Sequence, residues 1–237
     1  MTDRPTRLLG SPFRRVDGRA KVTGNTRFAD DLSFPRLCWV RLVRSPVPHA
    51  RVRGIDFSAA RQAPGYLGDL TGQDMPTTFV ILPVSQDEHA LCPDRVRFVG
   101  DPVAAVAAST EEAAYEAALQ VAVDYEPLTT VASIEDALNH PEPRIHDYGI
   151  EGNTHKKTSL RFGDIDQGFA DADLVLVDLM FYEGNNHLAI EQHAAVAVPE
   201  DDDRVTLYSS TQTPHYVHRA LARVLGIPAS RIRVVAC

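Results

Sequence analysis

The amino-acid sequence predicts an α+β chain built in two units, and three observations lead there. Val103–Ala108 (VAAVAA) is apolar on both faces, as a fully buried strand is. Strand-like segments crowd the half of the chain around it, whereas the other half mixes helices and strands. Between the halves, residues 139–156 (NHPEPRIHDYGIEGNTHK) are rich in Pro, Gly, His and charge and carry no periodicity, as a linker does.

Taken in order, residues 1–10 read as a loose arm. Leu37–Val43 has strand density and stops at Arg44-Ser45-Pro46. Val52–Phe57 alternates, Gly65–Gly72 follows as another strand, and Arg95–Val99 leads into the turn Gly100-Asp101-Pro102. After the buried run, Ser109 or Thr110 caps a helix whose first turn holds Glu111 and Glu112, the sign the helix dipole favours. Ala113, Ala117 and Val121 make a stripe of small residues along it, and the segment ends at Tyr125-Glu126-Pro127. Ser133–Asn139 adds a turn or two of helix.

In the second half, Gly163-Asp164 precedes a short helix over Ile165–Ala170, and Ala172–Phe181 reads as a long strand. Ala189–Val198 and Val205–Ser209 form a hairpin around the acidic turn Pro199–Asp203. Thr213 is an N-cap with Pro214 at the first helical position, Val217, Leu221, Val224 and Leu225 form the apolar stripe, and Gly226 with Pro228 ends the helix. Ile232–Val235 begins one more strand.

Composition excludes several classes. Of 237 residues, 44% are hydrophobic and 24% charged, so the chain is neither disordered nor fibrous. A net charge of −8 without a basic stripe argues against nucleic acid or an anionic membrane as the main partner. Cys38, Cys92 and Cys237 are scattered, which signals neither a disulfide framework nor a zinc site. The basic N-terminus has no apolar stretch behind it and no run is long enough to span a bilayer, so a cytoplasmic protein is expected.

Most candidate sites have plainer explanations. His187, Glu191 and His193 fall at even spacings, but ligands on one strand project in parallel rather than converging, so a polar strand face explains them better than a metal site. His215 and His218 suit a solvated helix face. Ser45, His49 and Asp56 have the residue types of a triad without a nucleophile elbow. Asp30-Asp31 and Asp201–Asp203 read as loop charges, and no glycine-rich phosphate loop is present. Gln212 differs, because it lies where a strand meets a helix N-terminus. Its amide can donate an N–H to an oxygen ligand beside the helix's free N–H groups, or it can simply satisfy the turn backbone.

An ordered series of segments then becomes informative. Arg15-Val16-Asp17-Gly18, Lys21-Val22-Thr23-Gly24, Phe28-Ala29-Asp30-Asp31, Arg44-Ser45-Pro46 and His49-Ala50 open it. Pro64-Gly65, Leu70-Thr71-Gly72, Val96 to Ala104 and Val123 to Leu128 continue it, and Gly163-Asp164, His187 with Glu191, and Ser210-Thr211-Gln212 complete it. Over roughly residues 10–236 this resembles the molybdenum-binding subunits of the xanthine dehydrogenase/aldehyde oxidase family. Leu82-Pro83-Val84 and Gly100 to Ala108 look most like the large subunit of 4-hydroxybenzoyl-CoA reductase, with Gly-Asp-Pro where many relatives have Gly-Glu-Pro.

The resemblance implies an arm over residues 1–17, an α/β hammerhead domain over 18–127, a linker over 128–155 and the N-terminal portion of a molybdopterin-binding domain over 156–237. It places Gln212 against an oxo ligand of molybdenum, with the metal held by the pterin rather than by side chains. It implies a molybdopterin cofactor in its cytosine dinucleotide form, with [2Fe-2S] clusters and FAD on companion subunits. Substrates of the family are aromatic, heteroaromatic, aldehyde or CoA-thioester compounds. The family's glycine-rich turn and the glutamate that acts as general base lie beyond a strand like Arg231–Val235. The chain is therefore expected to be inactive alone, as a split subunit completed by a further molybdopterin-domain chain or as a truncated product. The alternative is a non-catalytic assembly scaffold or an inactive remnant of a split gene.

Overall fold

A computed structural model describes residues 10, 12–80 and 87–237. Its helices are α1 (Gly18–Val22), α2 (Glu111–Leu119), α3 (Ile134–Asn139), α4 (Ile165–Ala170) and α5 (Pro214–Leu225). Its strands are β1 (Trp39–Arg44), β2 (Ala50–Asp56), β3 (Tyr66–Thr71), β4 (Arg95–Val96), β5 (Pro102–Ala108), β6 (Ala122–Pro127), β7 (Ala195–Glu200), β8 (Arg204–Ser209) and β9 (Ile232–Ala236). The chain divides into two units, one of Arg36–Leu188 with Arg223–Leu225 and one of Met1–Pro35, Ala189–Ala222 and Gly226–Cys237.

The first of these carries two antiparallel three-stranded sheets, ordered β1-β5-β3 and β4-β2-β6. As its apolar run predicts, β5 is central and buried, with Val103, Ala104, Val106 and Ala108 fully enclosed. Helix α2 lies against β1 and β5, and its small-residue stripe faces inward through the buried Ala114 and Ala117. Thr110 caps it by accepting the Ala113 N–H at 3.1 Å, and Arg41 of β1 reaches Glu111 at 2.9 Å. Ala50, Phe57, Val96 and Val106 join Ala117 in one core.

Two expected boundaries shift. The segment that begins with α2 is expected to end at Tyr125-Glu126-Pro127, yet α2 stops at Leu119 and Ala122–Pro127 becomes β6, paired with β2. The apolar period runs through Val121, but Val123 and Tyr125 alternate with polar residues, and pairing with β2 decides for strand. The strand expected over Arg95–Val99 ends at Val96, because the following turn starts early. Asp101 donates its N–H to Phe98 O at 3.2 Å, its carboxylate accepts the Arg97 N–H at 3.0 Å, and Gly100 takes φ +97°, where a side chain would be strained. Leu82-Pro83-Val84 lies outside the described residues.

Residues 140–155, although without helix or regular strand, are held by named bonds. Arg144 donates to Gly152 O and Tyr148 O at 3.0 and 2.9 Å, and the Ile145 N–H donates to Asn153 Oδ1 at 2.8 Å. From β4 and its end, Arg95 pairs with Asp147 at 2.9 Å and Arg97 donates to Ile145 O at 2.9 Å. Helix α4 forms as expected, with Asp164 accepting the Gln167 N–H at 3.0 Å. The long strand expected over Ala172–Phe181 does not form, and Leu176 and Val177 stand 77% and 90% exposed. A strand needs a partner for its backbone ladder, and none pairs with this segment among the described residues.

The other unit is a three-stranded sheet ordered β7-β8-β9. β7 and β8 form the expected hairpin, shorter than Ala189–Val198 would give, because pairing starts where Ala195 meets Ser209. β9 runs parallel to β8, from Val205 opposite Ile232 to Ser209 opposite Ala236. Helix α5 makes the crossover, as parallel neighbours require, and Gly226 at φ +64° ends it. On this unit Phe34 packs its ring 5.7 Å from that of Tyr208, and Ala29 is buried.

Two consequences are measurable. Ala117→Leu overfills the α2 contact and lowers stability by about 1–3 kcal/mol in urea unfolding. Burial holds the Asp101 carboxyl above the ordinary carboxylate range, against the opposing Arg97 amide bond and the charges of Arg97, His89 and Arg44. Folding thus favours its protonated form. That contribution is complete below about pH 4 and is lost as pH rises through the raised value. Asp101→Asn keeps an acceptor for Arg97, so its urea midpoint gains on the parent's between about pH 4 and pH 7.

Candidate functional site

At the carboxyl end of β8 the chain turns into α5 through Ser209-Ser210-Thr211-Gln212-Thr213. Ser and Thr hydroxyls bond readily to nearby backbone, and they do so here. Ser210 donates its N–H to Ala194 O at 3.1 Å, and its hydroxyl accepts the Ala194 N–H at 2.9 Å. Thr211 donates its N–H to Ser209 O at 2.9 Å, and its hydroxyl accepts the Thr213 N–H at 3.1 Å. Gln212 is exposed, and its side-chain amide has no hydrogen-bond partner among the described residues. Ser210 and Thr211 therefore satisfy this turn, and the Gln212 amide is left with both donors and its acceptor available.

The helix start offers less than its sequence suggests. Pro214 has no N–H, and Tyr216 and Val217 return theirs to Thr213 O at 3.0 and 3.3 Å. Among the described residues, His215 alone of these first positions keeps an unpaired backbone N–H. His218 is not a free surface group, since its Nε2 lies 2.9 Å from Ala229 O and 3.1 Å from Ile232 O, bracing the entry to β9. At the far end of β9, Cys237 donates its N–H to Ser209 O at 3.3 Å, so the carboxyl ends of both parallel strands meet beside the Gln212 turn. Open sheets with parallel strands bind ligands at that end. Burial pushes the Cys237 thiol upward, against a nucleophilic role.

The remaining candidates are taken up by local structure. Ser45 is buried, with its hydroxyl donating to Val47 O at 2.8 Å and accepting the Val47 N–H at 3.1 Å. His49 is buried too, with Nδ1 2.7 Å from Thr129 O, and Asp56 accepts the Ser58 N–H at 2.8 Å. Each bonds to nearby or facing backbone, so no triad assembles. His187, Glu191 and His193 are exposed and precede β7, so the strand face expected to carry them is absent there. Among the described residues no three His, Cys, Asp or Glu side chains form a metal-holding group. Asp31 accepts the Phe28 N–H at 3.0 Å, and Asp203 pairs with Arg231 at 3.3 Å. Cys92 is buried with its thiol pushed up to about 11, far from the thiolate that chemistry needs.

The chain resembles known proteins over most of its length. Residues 23–129 match the family described as aldehyde oxidase and xanthine dehydrogenase, a/b hammerhead domain, and residues 145–237 match the molybdopterin cofactor-binding domain. The chain belongs to the xanthine dehydrogenase/aldehyde oxidase family. It is 34% identical over 228 residues to the nicotinate dehydrogenase large molybdopterin subunit of Eubacterium barkeri, across 96% of this chain and 53% of that protein. It is 34% identical over 235 residues to the xanthine dehydrogenase molybdenum-binding subunit of Escherichia coli O157:H7, across 93% of this chain and 30% of the relative. Among solved structures, quinoline 2-oxidoreductase from Pseudomonas putida 86 superposes with a TM-score of 0.83 at 30% identity, across 96% of this chain and 30% of that one. The chain thus spans about a third to a half of the length of these relatives. Hammerhead and molybdopterin-binding domains are what its two family matches carry, and the Gln212 turn lies in the second.

Ser210 and Thr211 are the residues whose role spacing alone does not reveal; the usable signal is that two hydroxyls directly precede the amide and can take over bonds of the turn. Ser210→Ala keeps the backbone bond to Ala194 O but removes the two that its hydroxyl makes, the Ala194 N–H accepted at 2.9 Å and the donation to Ala194 O at 3.2 Å, and lowers stability by about 1–2 kcal/mol in urea unfolding, with faster amide exchange at Ala194.

Proposed function

We propose that this chain forms the hammerhead and the first part of the cofactor domain of a molybdenum-dependent oxidoreductase subunit, with Gln212 facing the cofactor. One observation carries the reading: a side-chain amide without a partner, in a turn whose Ser210, Thr211 and Thr213 N–H groups are bonded, at the carboxyl end of a parallel strand pair. That donor set suits molybdopterin. It offers a neutral N–H for an oxygen acceptor and needs no side-chain ligand to the metal.

When bound, the cofactor supplies a metal that exchanges oxygen and electrons with a substrate carbon. The chain's own part is positional. Gln212 donates an amide N–H to an acceptor oxygen of the cofactor and adds no charge while doing so. The His215 N–H adds a second donor at the same helix start. Ser210 and Thr211 keep the backbone of the turn bonded, so the amide is held ready rather than recruited from another contact.

The family membership supports a wider assembly. We place the chain in a cytoplasmic heteromeric complex with the rest of the molybdopterin domain, an iron-sulfur subunit with [2Fe-2S] clusters and an FAD subunit, and with the cytosine dinucleotide form of the pterin. No helix among the described residues is long and apolar enough to cross a membrane. The relatives named for xanthine, nicotinate and quinoline support an aromatic or heteroaromatic substrate. An aromatic CoA-thioester, as in 4-hydroxybenzoyl-CoA reductase, rests on Gly100 to Ala108, a segment that builds scaffold rather than site. We keep domain limits of 18–127 and 156–237, beside family matches that run over 23–129 and 145–237, the second beginning inside the linker expected over 128–155.

In a reconstituted complex, Gln212→Ala lowers turnover by about 100-fold and alters the molybdenum EPR signal, at unchanged metal content. Turnover and EPR signal both identical to the parent's overturn the assignment.

A further inference from the structure

Residues 174–182 (LVLVDLMFY) have the composition of a strand and none of a strand's bonds. No backbone hydrogen bond forms along them among the described residues. Leu174, Leu176, Val177, Leu179, Met180 and Phe181 are all exposed. Side chains of a strand point alternately to two faces. In this run Val175, Val177, Leu179 and Phe181 make one face apolar throughout, and the other is broken by charge only at Asp178. Ile165 and Phe169 of α4 extend the apolar surface, lining with Leu174, Val175 and Leu176 a groove of about 340 Å³.

This pattern restricts what can cover the segment. A bilayer does not take up a backbone with unpaired N–H and C=O groups, and Asp178 sits in the middle of the run. A second copy pairing through the same segment makes a two-stranded ribbon, which bonds one edge of each strand and leaves the apolar faces in water. A separately folded companion subunit presents a surface of mixed polarity and suits one face at most. A strand apolar on both faces belongs inside a domain, with strands at its edges and a layer over each face. Residues 174–182 lie within the match to the molybdopterin cofactor-binding domain, and the chain spans 30% of the Escherichia coli relative. The polypeptide that fits is therefore the remainder of that domain.

We propose, resting on the cofactor-domain reading, that residues 174–182 are the docking strand for the remainder of the molybdopterin-binding domain, which pairs with their backbone and covers both side-chain faces. Main-chain N–H and C=O groups supply the attachment, and pockets for alternate side chains set the register. A slip of one residue would exchange the two faces and carry Asp178 into the wholly apolar one, so register is strongly specified.

The test uses the full chain alone and together with a second polypeptide, the portion of the Escherichia coli O157:H7 molybdenum-binding subunit that lies outside its match to this chain. Complex formation is measured by titration, and amide exchange by mass spectrometry. Exchange over residues 174–182 is expected to slow about a hundredfold in the complex, and Val177→Asp to weaken the complex at least about tenfold. Val177 is exposed in the chain alone, so the variant keeps the parent's urea midpoint, which separates lost docking from lost folding. No complex, a complex in which residues 174–182 exchange as they do in the free chain, or an undiminished Val177→Asp complex overturns the proposal. Slow exchange of the segment in the chain alone, at the mass of a dimer, assigns it to a second copy and overturns the proposal as well. None of these readouts involves molybdenum, so the Gln212 assignment stands or falls separately on its EPR signal.

Discussion

β5 has to be buried on both faces, and the unit built around it follows from that requirement. Its residues are nearly all alanine and valine, so neither face offers water anything polar but backbone. Flanking it with β1 and β3 pairs that backbone, and α2 closes one face. The helix can come close because its inward side chains are small, Ala114 and Ala117 being fully enclosed, as are Ala104 and Ala108 of the strand it lies against. Close approach then fixes the neighbours. Arg41 reaches Glu111 across the contact, and the Ser109 N–H donates to Gly65 O at 2.8 Å, tying the helix start to the start of β3.

A comparable constraint shapes the other unit at smaller scale. Parallel strands cannot be joined by a tight turn, so β8 and β9 need the α5 crossover, and the crossover must leave from the carboxyl end of β8. That end is where one residue of the turn can point away from the ladder. The hydroxyls of Ser210 and Thr211 bond the Ala194 and Thr213 N–H groups, which makes an unpartnered amide compatible with an ordered turn.

How much of this could be read in the sequence depends on the range of the interaction involved. Caps at Thr110, Ser133 and Asp164 are bonds between residues three apart, and the helices they start fall where the residues indicate. The buried character of β5 is likewise a property of six consecutive residues. β6 could not be read in the same way: the stripe of α2 runs into it, and only its pairing with distant β2 decides its conformation. Ala172–Phe181 shows the reverse error, since a strand-like composition does not supply a partner strand. At the candidate site, the position of Gln212 at a strand-helix junction was legible. Whether its amide was taken up by the turn was not, because that depends on which of three adjacent polar side chains bonds the backbone.

The motifs that make the family resemblance visible are not, for the most part, the residues that could do chemistry. Arg44 donates to Gly100 O at 2.8 Å, the Ser45 N–H donates to Asp101 O at 2.9 Å, and the Gly100 N–H returns to Ser45 O at 2.8 Å. Arg44-Ser45-Pro46 and Gly100-Asp101-Pro102 are thus two sides of one bonded turn cluster, and a buried His49 joins the same region to Thr129. Residue types that suggest a triad in one dimension are consumed in three by backbone partners. Gln212 has the opposite profile: its neighbours are bonded and it is not. An exposed amide can be satisfied by water, so lack of a protein partner costs it little and does not by itself signify a site. It becomes informative through position, because Ser210, Thr211 and Thr213 around it are bonded and the carboxyl ends of two parallel strands converge there. Fold is carried by the polar groups that are paired, and function is to be sought among those the fold leaves open.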